Sequence, residues 1–165
     1  MSSRYSAGTF QGKKCYSDGV KIYLDLCAIQ RPLDTLNQIR IALESEAVLG
    51  IIAACDRGQV ELLSSETLLY EGEQSALPIR KEHTLSVLAK ANGSVNVTEN
   101  EKSRAATLTT FGIKPLDALH MALAESGNAD YFCTCDDKLL RNSKRVKDLT
   151  VKVVNPVDLV KEIEK

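Results

Sequence analysis

Five short apolar runs alternate with longer segments of helical period, and this alternation constrains the fold more than any other feature of the chain. The runs are Lys21–Leu24, Val60–Leu63, Val95–Val97, Tyr131–Thr134 and Val151–Val154. Each has the length of a buried strand and is bounded by Gly, Pro, Ser, Asn or acidic residues. Between them the spacing predicts helices over Leu43–Cys55, from Ser64 or Ser65 onward, from Pro78 to Ala89, from Thr98 to Thr110, from Pro115 to the Gly127 end, over Lys138–Val146, and over Pro156–Ile163. Thr98 and Glu101 have capping-box spacing. Gly58 and Gly127 fit helix ends, where a positive φ is common. On the Leu43–Cys55 helix the apolar face reads as Leu43, Ala47, Leu49, Ala53 and Ala54. Alternation of this kind points to a parallel sheet covered by helices on both faces.

With 165 residues, the chain reads as one domain able to bury roughly 70% of its unfolded surface. Residues 1–20 are rich in Ser, Gly and Lys without an apolar period and read as a mobile tail; residues 21–165 read as the domain. The formal net charge is −1, so no global positive field announces nucleic acid and a local patch would have to supply the cations. No stretch is long enough to span a membrane, and no secretory leader opens the chain. The five cysteines, Cys15, Cys27, Cys55, Cys133 and Cys135, are odd in number and contain no C-x-x-C. With two histidines, His83 and His120, they do not make a structural zinc pattern. The expected setting is a reducing cytoplasm.

If the sheet is parallel, acidic residues collect on one rim. Asp25 ends the first run, and Asp136 follows the fourth. Asp117 falls in the first turn of the helix that starts at Pro115, and Glu71 falls early in the helix after the second run. Crossover helices begin where strands end, and ligands bind on that side. Each acid also has a structural reading. Asp117 suits the positive end of a helix, Asp136 suits a helix cap, and Glu71 suits a solvated helix face. Asp25 is harder to dismiss, because a charge beside a buried strand is costly unless it is used. Four hard oxygen donors on one rim point to a divalent cation, Mg²⁺ or Mn²⁺, and to hydrolysis of a phosphodiester.

The segments KIYLDLC, SSETLLYE, KPLDALHMALAESGNADYFCTCDD and VVNP resemble the PIN-domain family, the fold of VapC-type toxin ribonucleases, over about Lys21 to Val160. The resemblance implies a three-layer α/β/α fold with a mainly parallel sheet of about five strands. It places the family's acids on Asp25, Glu71, Asp117 and Asp136, which would serve catalysis and hold Mg²⁺ or Mn²⁺, Glu71 directly or through water. Thr134 matches the hydroxyl residue that commonly precedes the last acid by two, and Asp137 stands beside it to assist. The implied activity is cleavage of single-stranded RNA, with an antitoxin protein and a second copy of the chain as partners. Cys27 departs from the family, where a polar residue such as Asn is frequent, and the N-terminal extension is unusual.

Phosphates of an RNA would need cations near the acids. Lys138, Arg141, Lys144 and Arg145 follow the Asp136 strand end, Arg31 follows Asp25, and Arg80 follows Glu71. A solvated helix face explains the Lys138 cluster equally simply. Tyr70 reads first as core and second as a base-stacking residue. A haloacid-dehalogenase-type phosphatase would carry Asp where Cys27 stands. A phosphoryl-receiver domain would need an acid where the second run ends in Ser64–Ser65, and no Gly-rich phosphate loop occurs. The alternative from another class is a catalytically silent PIN-fold module that binds protein or RNA.

Overall fold

The computed structural model describes residues 19–165. The apolar runs become strands β1 (Val20–Leu24), β2 (Val60–Ser65), β3 (Gly93–Val95), β4 (Tyr131–Cys133) and β5 (Lys152–Val154). They form one sheet in the order β3–β2–β1–β4–β5. Every pairing is parallel, with Ile22 opposite both Leu62 and Tyr131 and Leu24 opposite Cys133. Strand β1 is central because it can be buried on both faces; Ile22, Tyr23 and Leu24 are fully buried. Phe132 of β4 stacks on Tyr23 with ring centroids 5.5 Å apart.

Eight α-helices connect the strands among the described residues: α1 (Leu26–Gln30), α2 (Ile39–Asp56), α3 (Glu66–Glu73), α4 (Pro78–Leu88), α5 (Glu99–Thr109), α6 (Pro115–Ser126), α7 (Asp137–Ser143) and α8 (Pro156–Ile163). A 3₁₀ turn at Arg31–Leu33 follows α1. The chain steps outward from β1 to β3, then crosses back to β4 and β5. Right-handed crossovers place these two directions on opposite faces of the sheet. Helix α5 packs along α6, α2 along α8, and α3 against α4. The result is the three-layer α/β/α arrangement that the alternation predicts. The direction of travel reverses at β1 and β4, and the C-terminal ends of these two strands lie side by side, where the backbone N–H of Asp25 donates to the Cys133 carbonyl at 2.9 Å. A crevice at such a reversal is the usual ligand position in an open parallel sheet.

Several local expectations change. The N-terminal tail lies outside the described residues apart from Gly19 and Val20, and Val20 is already the first residue of β1. Strand β3 forms at Gly93–Val95, earlier than the apolar run, because Asn92 ties itself to β2 by accepting from the Leu62 N–H at 2.9 Å. The buried face of α2 carries Glu44, Ser45, Val48, Ile51 and Ala54, while Leu43 and Leu49 are exposed. Glu44 can be buried because Arg31 and Arg40 reach it at 2.9 and 3.2 Å. At the end of α6 the positive φ falls on Asn128, not on Gly127. Gly127 is required for a different reason: a Cβ there would collide with Leu63 of β2 and crowd Val95 of β3.

Candidate acidic site at the strand ends

Asp25 leaves β1 in extended conformation and caps α1, its Oδ1 accepting from the Leu26 N–H at 2.8 Å. Its Oδ2 accepts from the Thr134 hydroxyl at 3.0 Å and lies 3.4 Å from Cys27 Sγ. The side chain is 7% exposed. Burial raises its pKa, and the hydrogen bonds of Thr134, Cys27 and Leu26 offset only part of that. Thr134 joins two acids: while its hydroxyl donates to Asp25, its Oγ1 accepts from the Asp136 N–H at 3.1 Å. Cys27 accepts from the Cys135 N–H at 3.4 Å. The Cys135 side chain and burial push the Cys27 thiol up, so it remains a neutral donor to Asp25.

Asp136 caps α7 through Oδ1, which accepts from the Lys138 and Leu139 N–H groups at 2.9 and 3.3 Å. The structural reading of this residue as a cap therefore holds, yet it uses one oxygen only. Asp117 sits in the first turn of α6, as its position after Pro115 predicts. It is half-buried, and among the described residues no side chain or backbone group bonds to its carboxylate. Burial, then the charges of Asp25 and Asp136, push its pKa up to about 6 from 3.8; Lys114 offsets part of the shift. Asp25, Asp117 and Asp136 thus share one electrostatic site. Asp117 and Asp136 line a small cleft with Lys114, Lys138 and Asn142.

Glu71 lies late in α3, as its sixth residue of eight, and not early. It is tied to α6, the helix of Asp117, through His120, whose Nε2 is 2.6 Å from Glu71 Oε1. His120 is one turn after Asp117 on α6, near enough to bear on the electrostatics of both Asp25 and Asp117. Its Nδ1 lies 2.6 Å from the Tyr23 hydroxyl, which in turn lies 2.8 Å from Ser65 Oγ. Read from the sequence alone, His120 is weighed only as a zinc ligand, and this role is missed. Two signals were present: His120 follows Asp117 at the i+3 spacing that shares a helix face, and Tyr23 precedes Asp25 by the two residues that share a strand face.

The predicted cations divide into two groups. Arg31 is engaged by Glu44 and Asp34 at 2.9 and 3.0 Å, and Arg80 by Asp34 at 2.8 Å, Gln30 and the Leu33 carbonyl. Both brace the segment after α1. Lys138, Arg141, Lys144 and Arg145 are exposed along α7 and its end, with Arg145 donating to the Phe111 carbonyl at 3.1 Å. Asp137 is held by Arg40 through two bonds of 2.6 and 2.8 Å, a partner that no local spacing announces. Tyr70 is 64% exposed and is not core.

Carboxylates suit a hard divalent cation, and the unpartnered Asp117 between two other charges is the feature that a cation would relieve. Among the described residues, no group of three or more His, Cys, Asp or Glu side chains is closed around a point ready to hold a metal ion. The fit therefore rests on donor chemistry and charge. Nor, among the described residues, is any helix long and apolar enough to cross a membrane.

No protein-family model matches the chain, and no curated protein matches its sequence. Solved structures do match in shape. A chain in the crystal structure of VapBC2 from Rickettsia felis bound to a DNA fragment from their promoter superposes with a TM-score of 0.54 at 14% identity, covering 82% of this chain and 98% of that one. A chain in DNA-bound VapBC from Salmonella typhimurium does so with a TM-score of 0.50 at 15% identity, covering 83% and 98%. These likenesses show the fold: the chain has the PIN-like α/β architecture that its motifs resemble.

Proposed function

We propose that this PIN-like domain is a Mg²⁺- or Mn²⁺-dependent endoribonuclease that hydrolyses phosphodiester bonds of single-stranded RNA, as the toxin of a toxin–antitoxin pair. The observation that carries the reading is Asp117, a half-buried carboxylate with no bonding partner among the described residues, pushed up to about 6 by burial and by Asp25 and Asp136. Clusters of this kind gather at functional sites, because a structural carboxylate is ordinarily given a donor or a cation.

Asp25, Asp117 and Asp136 are the residues that would hold the cation, with Glu71 completing the set directly or through water. When bound, the cation activates water and neutralises charge developing on the phosphodiester oxygen. Thr134 and Cys27 orient Asp25, and Thr134 sets the backbone of Asp136. Lys138 at the cleft, with Arg141, Lys144 and Arg145 beyond it, would bind flanking phosphates. Arg31 and Arg80 keep their internal pairs in this reading. The similarity to VapBC complexes supports a protein partner. Such a partner would place a basic side chain or helix against the acidic rim, where opposite charge is favourable.

The test is cleavage of end-labelled single-stranded RNA by the purified full chain in Mn²⁺, in chelator, and with the Asp25→Asn variant. Cleavage should need the metal and Asp25. Cleavage that persists in chelator, or in Asp25→Asn, would end the metal-nuclease reading. No cleavage by the wild type would leave the silent binding module.

A further inference from the structure

His120 is 1% exposed, and both of its ring nitrogens are bonded. The run Ser65–Tyr23–His120–Glu71 has lengths of 2.8, 2.6 and 2.6 Å. Counting donors gives it a direction. Ser65 Oγ accepts from the Leu68 N–H at 3.0 Å as the cap of α3. Its own hydrogen is fully buried and needs an acceptor, and among the described residues the other partner of Ser65 Oγ is the Tyr23 hydroxyl. Tyr23 oxygen accepts that hydrogen, so the Tyr23 hydrogen goes to His120 Nδ1. With Nδ1 an acceptor, the neutral ring carries its hydrogen on Nε2 and donates it to Glu71 Oε1. Every hydrogen in the run points toward the carboxylate. A histidine held in the core by packing alone would need neither this order nor a rim acid as its acceptor.

We propose that His120 is the positioning residue of Glu71, its Nε2–H tautomer fixed by Tyr23 and Ser65 so that Oε1 is held and Oε2 is left for the cation site. The inference rests on the metal-nuclease reading above. Glu71 sits on α3 and Asp117 on α6, elements joined to different strands; the His120–Glu71 bond spans 49 residues of sequence and ties Glu71 to the helix that carries Asp117. A glutamate has three rotatable bonds, and without that bond Glu71 would have to be ordered anew each time it acted.

Two measurements test this. Long-range ¹H–¹⁵N correlation spectra of the protein in chelator report the His120 tautomer. The wild type should show Nε2–H with a bare Nδ1, and Tyr23→Phe should show a mixture; an Nδ1–H tautomer in the wild type would overturn the proposal. Calorimetric Mn²⁺ titration then compares wild type, Glu71→Gln, His120→Ala, His120→Gln and the Glu71→Gln/His120→Ala pair. Glu71→Gln and His120→Ala should each weaken Mn²⁺ binding about tenfold, as loss of an outer partner of a metal ligand does. The pair should be no weaker than either single variant, and His120→Gln, which keeps an N–H donor, should recover most of the loss. If His120→Ala does not fold, Tyr23→Phe replaces it, and its loss should vanish in the Glu71→Gln background. Losses that add would make His120 merely structural and overturn the proposal. A wild type that binds no Mn²⁺ removes the nuclease reading and this inference together; a wild type that binds, with unchanged His120 and Tyr23 variants, removes the inference alone.

Discussion

The two ends of α6 treat a carboxylate in opposite ways. Near its C-terminus, where the helix dipole disfavours negative charge, Glu125 accepts from Arg104 Nε and Nη2 at 2.7 and 3.2 Å and from the Thr150 N–H at 2.9 Å. Arg104 also reaches Asp148 at 3.2 Å and holds that carboxyl below its ordinary range. At the other end the dipole favours a negative charge, yet Asp117 has no donor among the described residues, and burial with two neighbouring carboxylates drives its pKa up to about 6. The fold can clamp an acid on this helix and does so at one end. Uncompensated charge at the other end is therefore a property of the rim, and it is where the proposed function places a cation.

The largest effect that would break this contrast is on cleavage. Asp117→Asn and Asp136→Asn should each lower RNA cleavage by more than about tenfold in saturating Mn²⁺, while Glu125→Gln should leave the rate unchanged. Gel-resolved cleavage rates check both; an equal loss at the two ends of α6 would erase the distinction. Stability should show the reverse order. Glu125→Gln weakens a charge-assisted network and should cost about 1 kcal/mol in urea unfolding, whereas Asp117→Asn removes a repelled charge and should cost nothing.

The smallest effect is on pH dependence. Asp117 binds its proton more tightly folded than unfolded, with the pKa raised to about 6 from 3.8. Its contribution to stability is therefore fully present below about 3.8 and lost as pH rises through about 6. In chelator, Asp117→Asn should flatten the fall in melting temperature across that window and melt a few degrees above wild type at neutral pH. Parallel melting curves of the two proteins across the window would show that Asp117 feels no such repulsion.

What could be read from the sequence was what depends on local spacing. Asp25 follows a four-residue apolar run, Asp117 follows Pro115, and Asp136 follows a strand, so their rim was legible once the sheet was taken as parallel. The capping box at Thr98 and Glu101 and the bounds of α8 were legible for the same reason. Partners distant in sequence were not. Arg40 meets Asp137 across 97 residues, and His120 meets Tyr23 across 97; neither spacing has a local signature. Arg31 and Arg80 look like phosphate ligands by position, and only the folded structure shows Glu44 and Asp34 occupying them. Helix α2 misled because Ala, Gly and Leu surround its axis without a clear stripe, so its buried face is decided by the ion pairs of Glu44. Gly127 looked like a backbone requirement and is a packing one.

In the proposed site the rim acids repel one another until a divalent cation joins them. Melting of wild type and Asp117→Asn, each in chelator and in millimolar Mn²⁺, is the sharpest test. Asp117 is the clean position, because Asp25 also caps α1 and an amide there disturbs the cap. A cation that binds the folded rim and not the scattered unfolded acids should, at a hundred times its dissociation constant, stabilise the wild type by about 2.7 kcal/mol. Asp117→Asn should melt above wild type in chelator and below it in Mn²⁺, because one substitution removes both a repelling charge and a ligand. Melting temperatures that rise equally in the two proteins on adding Mn²⁺ would contradict the account, and Asp117 would have to be withdrawn from the site.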